Sequence, residues 1–481
     1  IEVIFLKKEK KKSNSRLIKR FLPYYKSHIG TLLFDLFCAA LTTLCELALP
    51  MIASMLLMSA NNIIDSIWVA GLGADALAAV GFITPVFFII INVGNGIGAG
   101  ANSLIARAIG AENKELADNA AVHTLLLSII LSIIVPIILI PFMGPLLNLM
   151  GAGSSTQLGI EYGTIMFGFT FFFVLSGVLQ SLLRAEGDVK RAMNVTIVTS
   201  VLNIVLDPIF IYPTGWGVSG AAWATVLSVA VSCVIMGWWI WGKKDTYLTV
   251  TRKAFEYKNH ILKEIAVVAV PNMTEGITFS VMIIFINMML TIAAGTTAVA
   301  VYTSAARINQ LAMIPLMGIG TAMLTVAGAA FGQRDYDKLE EAHSYSIKFG
   351  YMISIVLIFI MFFGSDYIAL LFAYSDQSAS LAPMISSVLK ILCFFLLAIP
   401  AGIMSAMVFQ GVGKGFTSLA ITVFRALIIE LLLAYFLGLV LGFGEAGIYS
   451  GMVLAAAIGS VIAYIWCKLY IRGLKKKENY S

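Results

Sequence analysis

Charge is what this sequence has least of. Only 12% of its 481 residues are Asp, Glu, Lys or Arg, and 59% are hydrophobic, where a soluble domain carries about 25% charged residues. With a mean hydropathy of +0.92, the shortage leaves no room for a soluble enzyme domain and marks a polytopic membrane protein. A phosphate loop is also missing: Gly413-Lys414 is followed by Gly415, not by Ser or Thr, which argues against ATP hydrolysis. Cysteine is sparse and odd in number. Cys38, Cys45, Cys233, Cys393 and Cys467 form no CxxC pair and lie in apolar segments, so they read as small packing residues. His28, His123, His260 and His343 share no metal-ligand spacing, so no metal cluster is expected. No small-residue cleavage site follows a short apolar core, so no signal peptide is expected.

What the chain has in quantity is apolar runs. Twelve spans are predicted at roughly 48–72, 77–105, 120–147, 160–183, 193–213, 217–242, 265–293, 297–330, 342–364, 382–411, 416–440 and 445–467. The net charge of +6 needs no nucleic acid to explain it, because the basic residues are sorted by side. Residues 1–30 hold nine Lys/Arg, and the loops after spans 2, 4, 6, 8 and 10 and the carboxyl tail hold nineteen more. The loops after the odd-numbered spans hold none. The positive-inside rule then puts both termini in the cytoplasm. Residues 31–49 are apolar too. Counted as a further span they would carry the nine basic residues outside, so they read as a cytoplasmic extension of the first helix or an interfacial segment.

The chain also repeats. Pro50 answers Pro271, Gly110 answers Gly332, Gly187 answers Gly413 and Gly220 answers Gly447, at offsets of 221 to 227 residues. Six spans per repeat is an even number, so both copies cross in the same direction, and a cavity is expected between them. The expected organisation is a basic extension (1–45), a six-helix lobe (46–242), a cytoplasmic linker (243–264), a second six-helix lobe (265–470) and a basic tail (471–481).

Two acids stand out. Asp65 lies deep in ALPMIASMLLMSANNIIDSIWVAGL (48–72), without a basic residue within a turn or two. Holding a carboxylate at mid-membrane costs roughly 2.5–3.5 kcal/mol on insertion scales. In span 5, Asn203 and Asp207 are four apart and share a helix face, and Pro208 follows directly. Burial in an apolar pocket favours the protonated form of a carboxyl. Asn203 and Thr225 add oxygens that would serve sodium instead. Pro50 and Pro208 interrupt their helices' hydrogen bonding and are candidate hinges. Glu275 and Glu430 are acids of the second lobe. Glu430, five residues from Arg425, reads as readily as a structural ion pair; Glu275 is a candidate second coupling acid.

The segments D-S-I-W-V-A-G-L-G (65–73), L-N-I-V-L-D-P-I-F-I-Y (202–212) and G-V-S-G-A-A-W-A-T (217–225) resemble the multidrug and toxic compound extrusion (MATE) transporters, most of all archaeal members of the prokaryotic branch. The resemblance covers about residues 46–475. It implies an all-α fold of twelve transmembrane helices in two V-shaped six-helix lobes, and an antiporter that uses H⁺ or Na⁺ to export amphipathic, often cationic, drugs or toxins by alternating access. It implies that Asp65 and Asp207 couple the ion, with Asn203, Thr225 and Tyr162 grouped around them, and Asp65, Asn203, Asp207 and Thr225 as the Na⁺ set. No enzyme activity and no cofactor beyond the coupling ion are expected. The expected setting is a monomer in the cell membrane. Residues 1–45 depart from the family and resemble the start of an ABC exporter membrane domain. The alternative function is a lipid or lipid-linked-sugar flippase of related fold, which would line its cavity with basic groups; Arg307, Lys390 and Arg425 are the candidates. A channel is a further rival, and a membrane enzyme is the least supported class.

Overall fold

A computed structural model describes Glu46 and residues 48–480, apart from 70, 150–151, 244, 252–253 and 371–380. The basic extension, with Cys38 and Cys45, lies outside the described residues. The architecture is helical throughout, with no strand among the described residues. We label the helices α1 (Ala48–Val69), α2 (Ala74–Gly110), α3 (Lys114–Leu149), α4 (Thr156–Gly168), α5 (Thr170–Ala185), α6 (Val189–Ile211) and α7 (Gly217–Gly237). The second half has α8 (Asn259–Gly295), α9 (Thr297–Gly332), α10 (Tyr336–Leu370), α11 (Ala382–Ala398), α12 (Pro400–Gly411), α13 (Gly415–Val440) and α14 (Gly444–Tyr480). The α4/α5 and α11/α12 pairs are single spans bent by 47° and 43°. Counted so, the described residues hold twelve helical spans long and apolar enough to cross a membrane.

The large apolar side chains left on the surface, such as Ile137, Phe142, Ile284 and Phe363, are what a chain folded in lipid exposes. Inside, each half packs largely on itself: Ile83, Met143, Phe167 and Ile211 share a cluster within α2–α7, and Ile286, Leu389 and Tyr449 share one within α8–α14. The halves carry matching backbone features. The non-glycine residues Glu112 and Arg334, 222 positions apart, adopt left-handed φ of 57° and 58° just after α2 and α9.

Contacts between the halves gather at the end that carries the basic loops. Arg107 pairs with Glu264 at 2.9 Å. Ser103 Oγ donates to the carbonyls of Gln410 (2.6 Å) and Gly411 (3.0 Å), and Thr325 donates to Asn102 at 3.2 Å. Gly318 of α9 lies against Ile52 of α1. Toward the other end the same face of α9 is exposed at Leu311, Gln310, Arg307 and Thr303, and α1 is exposed at Asn62, Ile63, Ser66 and Ile67. The halves therefore meet at the basic end and part toward the opposite one, leaving a cleft between α1 and α9.

The segment between the halves is laced to the first. Arg191 grips Asp245 with two nitrogens (3.1 and 2.8 Å), Glu186 accepts the Leu248 N–H (3.2 Å), and Asp118 accepts the Thr249 N–H (2.8 Å). Asn119 donates to the Glu256 carbonyl (2.9 Å) and His123 Nε2 accepts the Lys258 N–H (3.3 Å).

Candidate functional site

Helices α1 and α6 run side by side in the same direction, joined by three rungs. Asn61 Nδ2 donates to Asn203 Oδ1 at 2.8 Å. One turn further on, the carboxyls of Asp65 and Asp207 face each other within hydrogen-bonding reach. Near the end of both helices the Tyr212 hydroxyl donates to the Trp68 carbonyl at 2.9 Å. The i,i+4 spacing on both helices sets this register: Asn61 and Asp65 share a face of α1 as Asn203 and Asp207 share one of α6.

Asn203 holds the group together. Its amide donates to Asp207 Oδ1 (2.9 Å) and reaches Thr225 Oγ1 of α7 (3.4 Å), while its carbonyl takes the Asn61 amide. Thr225 donates its own proton to the Ala221 carbonyl at 3.0 Å, leaving the hydroxyl oxygen as an acceptor. Tyr162 of α4 is buried within the field of both carboxyls. The five residues singled out in the sequence are thus together, and Asn61 joins them. It lies one turn before Asp65, but an amide in an apolar span reads equally well as helix-to-helix adhesion.

The group is short of donors. Asn61 Oδ1, Asp65 Oδ1 and Asp207 Oδ2 are buried and receive no hydrogen bond from the protein. An ionised carboxylate only accepts, so two of them side by side share a hydrogen bond only through a proton, or face a cation. Hard cations take oxygen ligands, and this set offers oxygen alone. The residues fit either ion.

The second half has a different character. Glu275 of α8 is saturated: Ser418 Oγ donates to it at 2.8 Å and Gln410 Nε2 reaches both its oxygens at 3.3 and 3.4 Å. Asn272 in turn donates to Gln410 Oε1 at 3.2 Å. Glu430 is fully buried and pairs with Arg425 at 3.3 Å; a π-helical turn over Phe424–Glu430 brings the two onto one face. Lys390 pairs with Asp366 at 3.3 Å. Gln410 and Ser418 had no signal in the sequence, since only the fold brings α12 and α13 to α8. Among the described residues, no three His, Cys, Asp or Glu side chains gather as a metal-holding group. Of the two hinge candidates, Pro208 sits in the last turn of α6 and Pro50 lies in α1 four residues before Ser54, whose hydroxyl donates to the Pro50 carbonyl, while the sharp bends fall at Phe169 and Ile399.

Comparison with known proteins places the chain in a family. The chain is 25% identical over 446 residues to the "FAD transporter" of Shewanella oneidensis, covering 88% of this chain and 92% of that one. It is 24% identical over 421 residues to "Multidrug export protein MepA" of Staphylococcus aureus, covering 87% and 91%. A solved structure described as the outward-facing conformation of a multidrug resistance MATE family transporter of the MOP superfamily is 40% identical, covers 90% of this chain and 96% of its own, and superposes with a TM-score of 0.86. Residues 50–209 and 271–436 match the MatE family. By these matches, the chain is a multi-pass membrane protein that belongs to the MatE family.

Proposed function

We propose that the protein is a cation-coupled antiporter that exports small amphipathic organic compounds from the cell. The observation that carries this reading is the donor-poor pair Asp65 and Asp207, walled in by Asn61, Asn203, Thr225 and Tyr162. A proton or Na⁺ taken up there removes a repulsion between buried like charges. It also changes how α1 packs on α6. Since α1 contacts α9 at Gly318, that change reaches the interface between the halves. Packing at one end and separation at the other supports alternating access, because an ion that prefers one arrangement shifts the balance between the two. The basic ends are assigned to the cytoplasm of the cell membrane by the positive-inside rule. The cleft then faces outward, and the protein works as a monomer. Relatives named for multidrug export and for FAD transport support a small organic cargo over a flipped lipid.

The test is efflux of ethidium from vesicles under imposed pH or Na⁺ gradients, for the wild type, Asp65→Asn and Asp207→Asn. Efflux driven by one gradient alone and lost in both variants supports the reading and names the ion. Unchanged efflux in both variants overturns the site.

A further inference from the structure

Arg307 has no role in the site described above. It lies on α9, deep in a membrane span, and it is exposed. No acid, carbonyl or ring among the described residues contacts its guanidinium, in contrast to Arg425 on Glu430, Lys390 on Asp366 and Arg107 on Glu264. An arginine held within a membrane without a partner faces water or a ligand.

Its direction follows from helix geometry. Arg307 precedes Gly318 by eleven residues, about three turns, so both lie on nearly the same face of α9. Gly318 touches Ile52 of α1, so that face looks at the first half. The opposite face, with Val301, Tyr302 and Ala305, is buried in the second half's own core. Eleven residues rise about 16 Å along the helix. Helix α1 runs antiparallel to α9, and the same rise from Ile52 reaches Ile63. Arg307 therefore stands across the cleft from the stretch of α1 that exposes Asn62 and Ser66 and, on its far side, carries Asp65 toward Asp207.

We propose that Arg307 is a substrate-binding residue that receives the anionic group, a carboxylate or a phosphate, of compounds entering the cleft. The protein would thereby favour anionic or zwitterionic amphiphiles over purely cationic ones. Arginine suits this role because its planar fork donates two parallel hydrogen bonds to a carboxylate or phosphate. The groups that face it are neutral: Asn62 and Ser66 across the cleft, Thr303 and Gln310 on its own helix. The acids nearest in depth, Asp65 and Asp207, are turned toward each other. The cation is thus left for the cargo. This inference rests on the exporter reading for its transport consequence but not for its binding test.

The experiment compares norfloxacin, which carries a carboxylate, with ethidium, which carries no anionic group. Equilibrium binding is measured by fluorescence on the purified full chain in nanodiscs, and efflux in vesicles. Arg307→Ala should weaken norfloxacin binding at least about tenfold, as expected for losing a charge-assisted hydrogen-bond pair. Ethidium binding should stay within about twofold of the wild type on the same scale. Arg307→Lys should recover part of the norfloxacin affinity, and Arg307→Glu should reverse the preference. Equal losses for both compounds, no change for norfloxacin, or a wild type that binds no carboxylate-bearing compound would each overturn the proposal. If the wild type binds norfloxacin through Arg307 yet exports neither compound, the exporter reading fails and the binding site stands.

Discussion

Gly110 and Gly332 make the same contact from opposite halves. A Cβ on Gly110 would lie 2.1 Å from the carbonyl oxygen of Ala329, and a Cβ on Gly332 would lie 2.1 Å from that of Arg107. Each glycine thus packs on the residue three positions before its counterpart, so α2 and α9 cross at a point of near two-fold symmetry at the basic end. Real Cβ atoms do not approach backbone so closely, and a side chain at either position has to push the helices apart.

Gly110→Ala and Gly332→Ala should therefore act alike. Each should destabilise the closed basic end by about 1–3 kcal/mol, the usual cost of overpacking. The balance should shift away from the arrangement seen here. Spin labels placed on either side of that end should report longer distances in both variants, and efflux should fall in both. A large effect in one variant and none in the other would contradict the symmetric contact.

The paired acids give a prediction of opposite sign for stability and function. Asp207→Asn replaces an acceptor with an amide that can donate to Asp65, which does permanently what a proton does transiently. Thermal melting at pH 8 should rise, and gradient-driven efflux should be abolished. Asp65→Asn should behave in the same way, because either substitution ends the repulsion. Glu275→Gln should leave coupling intact, because Ser418 and Gln410 already satisfy that carboxylate.

These contrasts mark what could be read from the sequence and what could not. Asp65 and Asp207 were legible because a carboxylate in an apolar run is costly wherever the fold puts it. The repeat was legible because glycines such as Gly110 and Gly332 recur at one offset. The saturation of Glu275 was not legible: Gln410 and Ser418 are 135 and 143 positions away along the chain and look like ordinary helix residues. The register of the Arg425–Glu430 pair was hidden for another reason. In a regular α-helix residues five apart turn away from each other, and only the π-helical turn aligns them. Similarly, the bend at Phe169 leaves no proline in its segment to announce it, whereas the one at Ile399 is followed by Pro400.

A pH dependence is expected at the basic end, outside the membrane spans. Burial, reinforced by Asp188, pushes the Glu186 carboxyl up from its ordinary 4.5 to about 7, against the Leu248 N–H and Arg191. An acid raised in this way stabilises the docked segment fully below about pH 4.5 and loses that contribution as the pH climbs through 7. The Leu248 amide should therefore exchange with solvent faster at pH 8 than at pH 5, once the intrinsic pH dependence of exchange is removed. Glu186→Gln should flatten the difference. A profile that keeps its slope in the variant would assign the effect to another group.

The pair Arg425 and Glu430 is the test of a structural against a coupling role for the second half's most buried acid. Glu430 is 1% exposed at its side chain and Arg425 14%, so neither charge is easily hydrated if the other is removed. Arg425 also spreads over the Phe279 ring at 5.5 Å and packs its methylenes on Gly459. Removing one partner strands the other, so Arg425→Met alone should cost about 3–5 kcal/mol and lower the melting temperature sharply. Replacing both residues with apolar ones of similar volume, Arg425→Met with Glu430→Leu, should recover most of the loss, because the desolvation penalty leaves together with the attraction. If the double variant melts like the wild type and still exports under the gradient, the pair is a buried structural contact. If it melts normally but no longer couples, Glu430 takes part in ion uptake, and its orphaned Oε1 is where the ion would bind.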